Sequence, residues 1–497
     1  MCPVTVTAAD GTGINFQIDK PIVSGSKELY LTDDKTQVVQ LFPKILDESD
    51  KKRLYRLATE YRDKIFQTPG GKYFTDLFCW PQYAFEYEKR LALVVPAYGP
   101  NFFFGPDTNL AGANKKAHWF LSAKNFTRFL PYQERGSLIG YLRLCLELSR
   151  AVRKLHEVGL CHWDLSGRNC LVDPISGKFY LINIDLIFEW SGVAQSRLLR
   201  GENPDFTAPE IIATKELFPS DPQCCLPSET TDLHSLAVLI YMFLLHRHPL
   251  RGSKYHGPDP RRSEELLMGK DSLFIENPTD TSNSLKALSD QEDLRPWVDP
   301  VNLPYTTMGP YLKELFDRAF IKGLHAPKER PKPLDWERAL VRTVDLLHPC
   351  ANPKCLMGWF IFDIEGPKPK VCPYCGTVLK GRLPILYFFS SKDGINYSSD
   401  SHILVVHHNQ YLYPWHVDNR IFPNERTSDE NRKPVGFFSF DAKKGWYFSN
   451  QTLDSLQDLS RKKPIPQGQA VEIIDKQQLI LKTGTDGRVA SFRIMEL

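Results

Sequence analysis

Long apolar runs are missing from this chain. The longest, residues 236–245, is about half of what a bilayer-crossing helix needs, so no membrane span is expected and a buried helix fits it instead. An excess of charge is missing too. With 62 basic and 59 acidic residues the net charge is +3, so no polyanion-binding surface is implied and nucleic acid is not an expected partner. The start, Met1-Cys2-Pro3-Val4-Thr5-Val6, has no basic segment ahead of an apolar stretch, and no secretory signal is expected. A disulfide framework is absent as well: the eleven cysteines are odd in number, and seven are scattered singly or as the pair Cys224-Cys225. A cytoplasmic location follows as the expectation. No internal repeat or low-complexity tract is visible. What remains is 497 residues, 42% hydrophobic and 12% aromatic, enough for about two to four globular domains.

The most informative stretch present is His162-Trp163-Asp164-Leu165-Ser166-Gly167-Arg168-Asn169, which sets a carboxylate five residues ahead of an amide on a loop between apolar runs. Phosphoryl transfer needs a carboxylate to orient or accept the proton of the attacking hydroxyl, and an oxygen ligand nearby to hold magnesium on the phosphates. Asp164 and Asn169 supply that pair. Residues 179–184 read as a short apolar strand that delivers Asp185 to a place resembling that of the second, magnesium-chelating aspartate of protein kinases. Thr207-Ala208-Pro209-Glu210, the apolar helix led by Asp232, and Arg330-Pro331 follow in order. Taken together, these elements resemble those of protein kinases. The resemblance implies a bilobal protein-kinase-like fold with ATP and Mg as cofactors, with Asp232 anchoring the catalytic loop and Arg330 paired with Glu210.

The expected organisation is multidomain α+β. Residues 1–100 form a kinase small lobe, with β-like runs at 21–31 and 36–42 and a helix at 47–66 capped by Ser49 and Asp50. Residues 101–348 form the large lobe, with helices at 138–158 and 312–324 and a loop-rich insertion at 252–310. Residues 349–381 carry Cys350, Cys355, Cys372 and Cys375 in two tight turns. Four thiolates suit a tetrahedral Zn ion in a structural zinc ribbon, with His348 as a spare ligand. From 382 to 497, β-like runs separated by turn residues at even spacing point to an all-β sandwich. Its later half resembles forkhead-associated domains, but the arginine and serine of their phosphothreonine-binding loops are missing near Tyr413-Pro414-Trp415-His416. A docking module is therefore expected there.

The kinase motifs depart from the family pattern at several points. In Val38-Val39-Gln40-Leu41-Phe42, Gln40 stands where the third-strand lysine is expected, and glutamine cannot neutralise a phosphate. Ser24-Gly25-Ser26-Lys27 resembles a shortened glycine loop. Lys27 is the candidate substitute cation, as in the with-no-lysine kinases, and Glu60 is its expected carboxylate partner, with Glu48 the alternative. Gly25, Ser26, Gln40, Glu60, Pro96 and Ala97 complete the expected nucleotide-binding set. Trp163 replaces the arginine that reads a phosphorylated activation loop. Arg168, ahead of Asn169, is a second source of positive charge in the catalytic set. The expected activity is ATP/Mg-dependent phosphorylation of a protein substrate, with serine or threonine favoured. A pseudokinase scaffold and a kinase-fold nucleotidyl transferase remain open.

The order of kinase, four-cysteine ribbon and terminal β domain, with Cys79-Trp80-Pro81 and His248-Pro249-Leu250-Arg251-Gly252, resembles the bacterial kinases of TerY-type triads. That resemblance implies two partners, a von Willebrand A-domain protein and a metal-dependent protein phosphatase, in stress and tellurite-resistance signalling.

Overall fold

The computed structural model describes residues 3–8, 11–24, 27–190, 203–218, 220–285 and 293–497. Helix and sheet are mixed, and the chain divides into two compact units interleaved along the sequence. One comprises Met1–Gly136, Gly140–Pro300 and Leu315–Glu337; the other comprises Ser137–Ile139, Val301–Glu314 and Arg338–Leu497. Among the described residues, no helix is long and apolar enough to cross a membrane.

The first unit opens with a hairpin of β1 (Pro3–Thr7) and β2 (Gly13–Gln17), which buries Ile14 and Phe16 on alternate positions. A five-stranded antiparallel sheet follows, made of β3 (Val23–Ser24), β4 (Glu28–Leu31), β5 (Gln37–Leu41), β6 (Tyr83–Tyr87) and β7 (Arg90–Pro96). Its spatial order is β3-β4-β5-β7-β6. Tyr30, Val39, Leu41, Phe85 and Val94 pack with the hairpin's Ile14 and Phe16 into one core.

Between β5 and β6 the chain runs through α1 (Glu48–Arg56), a π-helical turn at Leu57–Tyr61, α2 (Arg62–Phe66) and α3 (Gly71–Thr75). The cap of α1 is Asp47, rather than Ser49 or Asp50. Its extended backbone (φ −69°, ψ 163°) lets its carboxylate accept the free N–H of Asp50 at 2.8 Å.

The remainder of this unit is largely helical. In α4 (Leu138–Glu157), apolar side chains recur at three- and four-residue spacing, and Leu142, Cys145, Leu148, Val152 and Leu155 are all buried. Gly140 is required there, because a Cβ would meet the Pro174 carbonyl oxygen at 1.8 Å. Two antiparallel ladders come next: β8 (Leu160–His162) with β11 (Ile187–Glu189), and β9 (Cys170–Asp173) with β10 (Lys178–Leu181). After α5 (Pro209–Ala213) comes α6 (Glu229–Leu245), which is buried on every face from Thr231 onward and has Thr231 Oγ1 accepting the Ser228 N–H at its start. Such a helix shows no amphipathic stripe, since other elements surround it.

In the second unit, antiparallel pairing of Leu347–Pro349 with Trp359–Ile361 makes one hairpin. Two antiparallel sheets follow. One has six strands, centred on Arg382–Ser391 and Arg488–Glu496. The other has four, centred on Gly436–Asp441 and Gly445–Asn450. Phe438 of the smaller sheet meets Phe492 of the larger edge to face, at 6.1 Å between ring centroids.

The ion pair that closes the first unit's helical part is Arg330 with Glu210. Both contacts are 2.8 Å, and the guanidinium also donates to the carbonyls of Thr230, Gly323 and Leu324. Arg330 is fully enclosed, so its removal leaves Glu210 and three carbonyls without their donor. Arg330→Ala is expected to cost about 3 to 5 kcal/mol of stability in urea unfolding, whereas a change below about 1 kcal/mol would mean that the pair is incidental.

Candidate functional site

The loop from His162 to Asn169 is shaped from beneath. At its start, the His162 N–H donates to Asp232 Oδ2 at 2.8 Å, and the same oxygen lies 3.0 Å from His156 Nε2 at the end of α4. The His162 imidazole is wholly buried. Burial pushes its pKa below the usual value, against the opposing pull of Asp232. At the loop's far end, Asn169 Nδ2 donates to the Asp164 carbonyl at 2.6 Å and to Asp164 Oδ2 at 2.7 Å. The amide therefore holds the carboxylate on the same side of the loop as itself.

The expected strand at 179–184 ends at Leu181. Asn183 sits in the left-handed region (φ 57°, ψ 49°) and turns the chain into a short 3₁₀ turn, Ile184–Leu186, that carries Asp185. Asn183 Nδ2 donates to Asn169 Oδ1 at 2.8 Å, and the Ile182 N–H donates to the Asn169 carbonyl at 2.9 Å. Asn169 and Asp185 are thereby tied to one backbone turn. Asparagine is among the few residues that adopt this conformation at low cost, so Asn183 leaves a readable sequence signal that the motif reading passed over.

From the sheet side comes Lys27, immediately before β4. Its ammonium meets Asp185 Oδ1 at 2.5 Å, with both side chains largely enclosed. Gln40, next to the last residue of β5, is buried and pairs with Leu29 of β4 and Leu93 of β7. Glu60 does not reach Lys27: it lies on the outer face of its π-helical turn, hydrogen-bonded to Arg56 at 2.7 Å and Lys64 at 2.6 Å, and Arg56 holds its pKa down to about 2. Glu48, on the first turn of α1, is exposed and pairs with Lys51. The α1 side chain that does reach this region is Arg53, which the sequence offered no reason to single out. Its Nη1 donates to the carbonyls of Asp185 at 2.7 Å and Ile187 at 2.9 Å.

Arg168 is exposed. Pro96 and Ala97 line a cavity of about 890 Å³ together with Leu77, Phe102, Arg143 and Tyr180; Lys27, Asp164 and Asp185 are not among its walls. Gly25 and Ser26 lie outside the described residues.

In the second unit, two hairpin turns present the four cysteines. The first lies between the paired strands Leu347–Pro349 and Trp359–Ile361; the second is bracketed by the Val371–Val378 bridge. All four sulfurs lie within 4.8 Å of one another, without His348. Two of the sulfur–sulfur distances are 3.5 Å (Cys350 to Cys375) and 3.8 Å (Cys355 to Cys372). A tetrahedral ion with zinc–sulfur bonds of about 2.3 Å has sulfur–sulfur edges of about 3.8 Å, so the four thiols have the spacing to hold a metal such as zinc. The Asn352 N–H at 3.5 Å from Cys350 Sγ, and Thr377 Oγ1 at 3.2 Å from Cys375 Sγ, are the kind of outer contact that steadies thiolate ligands.

A second cluster, Asp345 with His402 and His416, also has ligand-like spacing and is fully buried. Its hydrogen bonds argue against a metal. His416 Nδ1 accepts the Tyr413 N–H at 3.0 Å, and His402 Nδ1 faces Arg488 Nη2 at 3.2 Å. Each Nε2 therefore carries the proton, donating to Asp345 at 3.2 and 2.7 Å. A metal would need those same Nε2 lone pairs. The cluster is a hydrogen-bonded part of the core, and it withholds His416 from any external ligand.

No protein-family model matches the chain.

Two outcomes follow. Elemental analysis of the purified chain is expected to give one zinc per chain, with Cys372→Ser losing the metal and several kcal/mol of local stability; a metal-free, fully folded chain would overturn this. Burial, partly opposed by Asp345, holds His402 below its ordinary pKa. The unfolded chain then takes up that proton first, so stability is present above about pH 6.5 and lost as pH falls. Urea titrations between pH 7 and 5 are expected to show a shallower loss in His402→Gln, by up to about 1.4 kcal/mol per pH unit.

Proposed function

We propose that the first unit is a phosphotransferase of the protein-kinase type, acting on a protein hydroxyl with ATP and magnesium, and that Lys27 replaces the missing third-strand lysine. The observation that carries this reading is the 2.5 Å contact of Lys27 with Asp185, made while Gln40 stays buried within the sheet. The strand order β3-β4-β5-β7-β6, with its helices inserted between β5 and β6, agrees with a kinase small lobe. The bonds of Asp232 to the 162–169 loop and of Arg330 to Glu210 agree with a large lobe.

The donor set fits the cofactors. Asp185, Asn169 and Asp164 offer the hard oxygen ligands that magnesium prefers. A bound magnesium ion would supply charge on the phosphate oxygens, held by Asp185 and Asn169. Asp164, steered by Asn169 Nδ2, accepts the proton of the attacking hydroxyl. Lys27 compensates negative charge that grows on the phosphoryl oxygens. Arg53 fixes the backbone behind Asp185, which keeps the carboxylate aimed.

We further assign the four-cysteine turns a structural zinc and the terminal sheets a docking role in a forkhead-associated-like sandwich. The burial of His416 supports docking over phosphopeptide reading. A von Willebrand A-domain protein and a metal-dependent phosphatase are the proposed partners in a TerY-type triad; this rests on the order of the motifs alone.

Labelled ATP tests the activity. Transfer of the γ-phosphate is expected to vanish in Asp164→Asn with nucleotide binding nearly intact. Lys27→Ala is expected to lose about 2 to 4 kcal/mol of transition-state stabilisation, with Gln40→Ala losing far less. Transfer from the α-phosphate alone would replace this reading by nucleotidyl transfer, and absence of any transfer would favour a scaffold.

A further inference from the structure

The Lys27 contact is made on the carboxylate that the phosphotransferase reading assigns to magnesium. The lysine cation and a metal dication bound to the same carboxylate would lie a few ångströms apart and repel each other strongly in an enclosed site. The two are therefore competitors for Asp185.

The surrounding contacts decide which partner moves. Arg53 holds the carbonyls of Asp185 and Ile187, and Asn183 holds Asn169 from the same turn, so the Asp185 backbone is pinned from both sides. Lys27 has a four-carbon stem and precedes a strand of only four residues. Its chain neighbour Glu28 is no alternative anion, because Arg90 at 2.7 Å and the Tyr30 hydroxyl at 2.9 Å already occupy it. The ammonium also lies 5.6 Å from the centre of the Phe42 ring, which is a weak partner. Lys27 thus leaves Asp185 only when another anion is supplied.

We propose that Lys27 is a metal-excluding latch: its ammonium holds the seat on Asp185 until nucleotide phosphates draw it away, so that a divalent cation binds with the nucleotide and not before it. This rests on the phosphotransferase reading and adds an order of binding to it. By linkage, nucleotide and metal then raise each other's affinity, and the lysine is the source of that coupling.

Manganese binding to the full zinc-loaded chain, followed by electron paramagnetic resonance with and without a non-hydrolysable ATP analogue, reads the latch directly. The signal that counts is the part lost in Asp185→Asn. The wild type is expected to bind manganese weakly alone and far more tightly with the analogue. Lys27→Met and Lys27→Ala are expected to bind manganese alone at least about tenfold more tightly than the wild type, with the analogue's enhancement reduced by a similar factor. Lys27→Arg, which keeps the charge, is expected to stay weak. If neither neutral variant binds manganese alone more tightly while the Asp185-dependent ternary complex persists, the latch is wrong and the phosphotransferase reading stands. If no variant, nor the wild type, shows Asp185-dependent binding even with the analogue, that reading falls and the latch falls with it.

Discussion

Asp232 is sealed from solvent at the start of a helix buried on every side, and it faces the first amide of the 162–169 loop and the last histidine of α4. An ionised carboxylate in such a place is tolerated only where donors converge on it. That requirement fixes where the loop begins. Once His162 is held there, β8 pairs with β11, and the chain between the two ladders must pass Asp164, Asn169 and Asp185 around one small region. The geometry of the candidate site is thus set by a group that would never touch a substrate.

The first unit's candidate site joins a hydrogen-bonded cluster to a single long side chain. Asp164, Asn169 and Asn183 are cross-linked by side-chain amides, and the Arg53 guanidinium holds the Asp185 carbonyl. Lys27 approaches from just ahead of a short strand and contributes a single point charge. On the proposed phosphotransferase reading, such a division would let the orienting groups keep their positions while the neutralising charge adjusts to the changing charge of the phosphoryl group.

Motif spacing made the cysteine turns legible from the sequence, because the thiols must converge whatever the rest of the fold does. The later strands were legible too: the β-like runs expected over 382–497 include strands Tyr397–Val405 and Arg488–Glu496. Alternation marks strands, but their ends depend on pairing partners that lie far away in sequence. The expected helix at 47–66 exists with a π-helical turn in its middle, and that turn rotates Glu60 outward. Heptad-like spacing carries no trace of such a turn, so the Glu60 position was not readable. Arg53 was hidden for a different reason, since its partners are two backbone carbonyls that no side-chain motif records. The strand read to residue 184 stops at Leu181 because Asn183 adopts a left-handed conformation, and there the residue type itself held the clue.

The interleaving of the two compact units bears on how the protein is made. Ser137–Ile139 leaves the ribosome long before Arg338–Leu497, yet belongs with it, and Leu315–Glu337 belongs with a unit whose remaining residues end at Pro300. Neither unit has its full set of residues until most of the chain has been synthesised. A cut at residue 348, where the motifs alone would divide the protein, strands two early segments from the unit they complete. Each unit is thus discontinuous in sequence, and a fragment ending at residue 348 holds neither a complete second unit nor a first unit free of the second unit's segments.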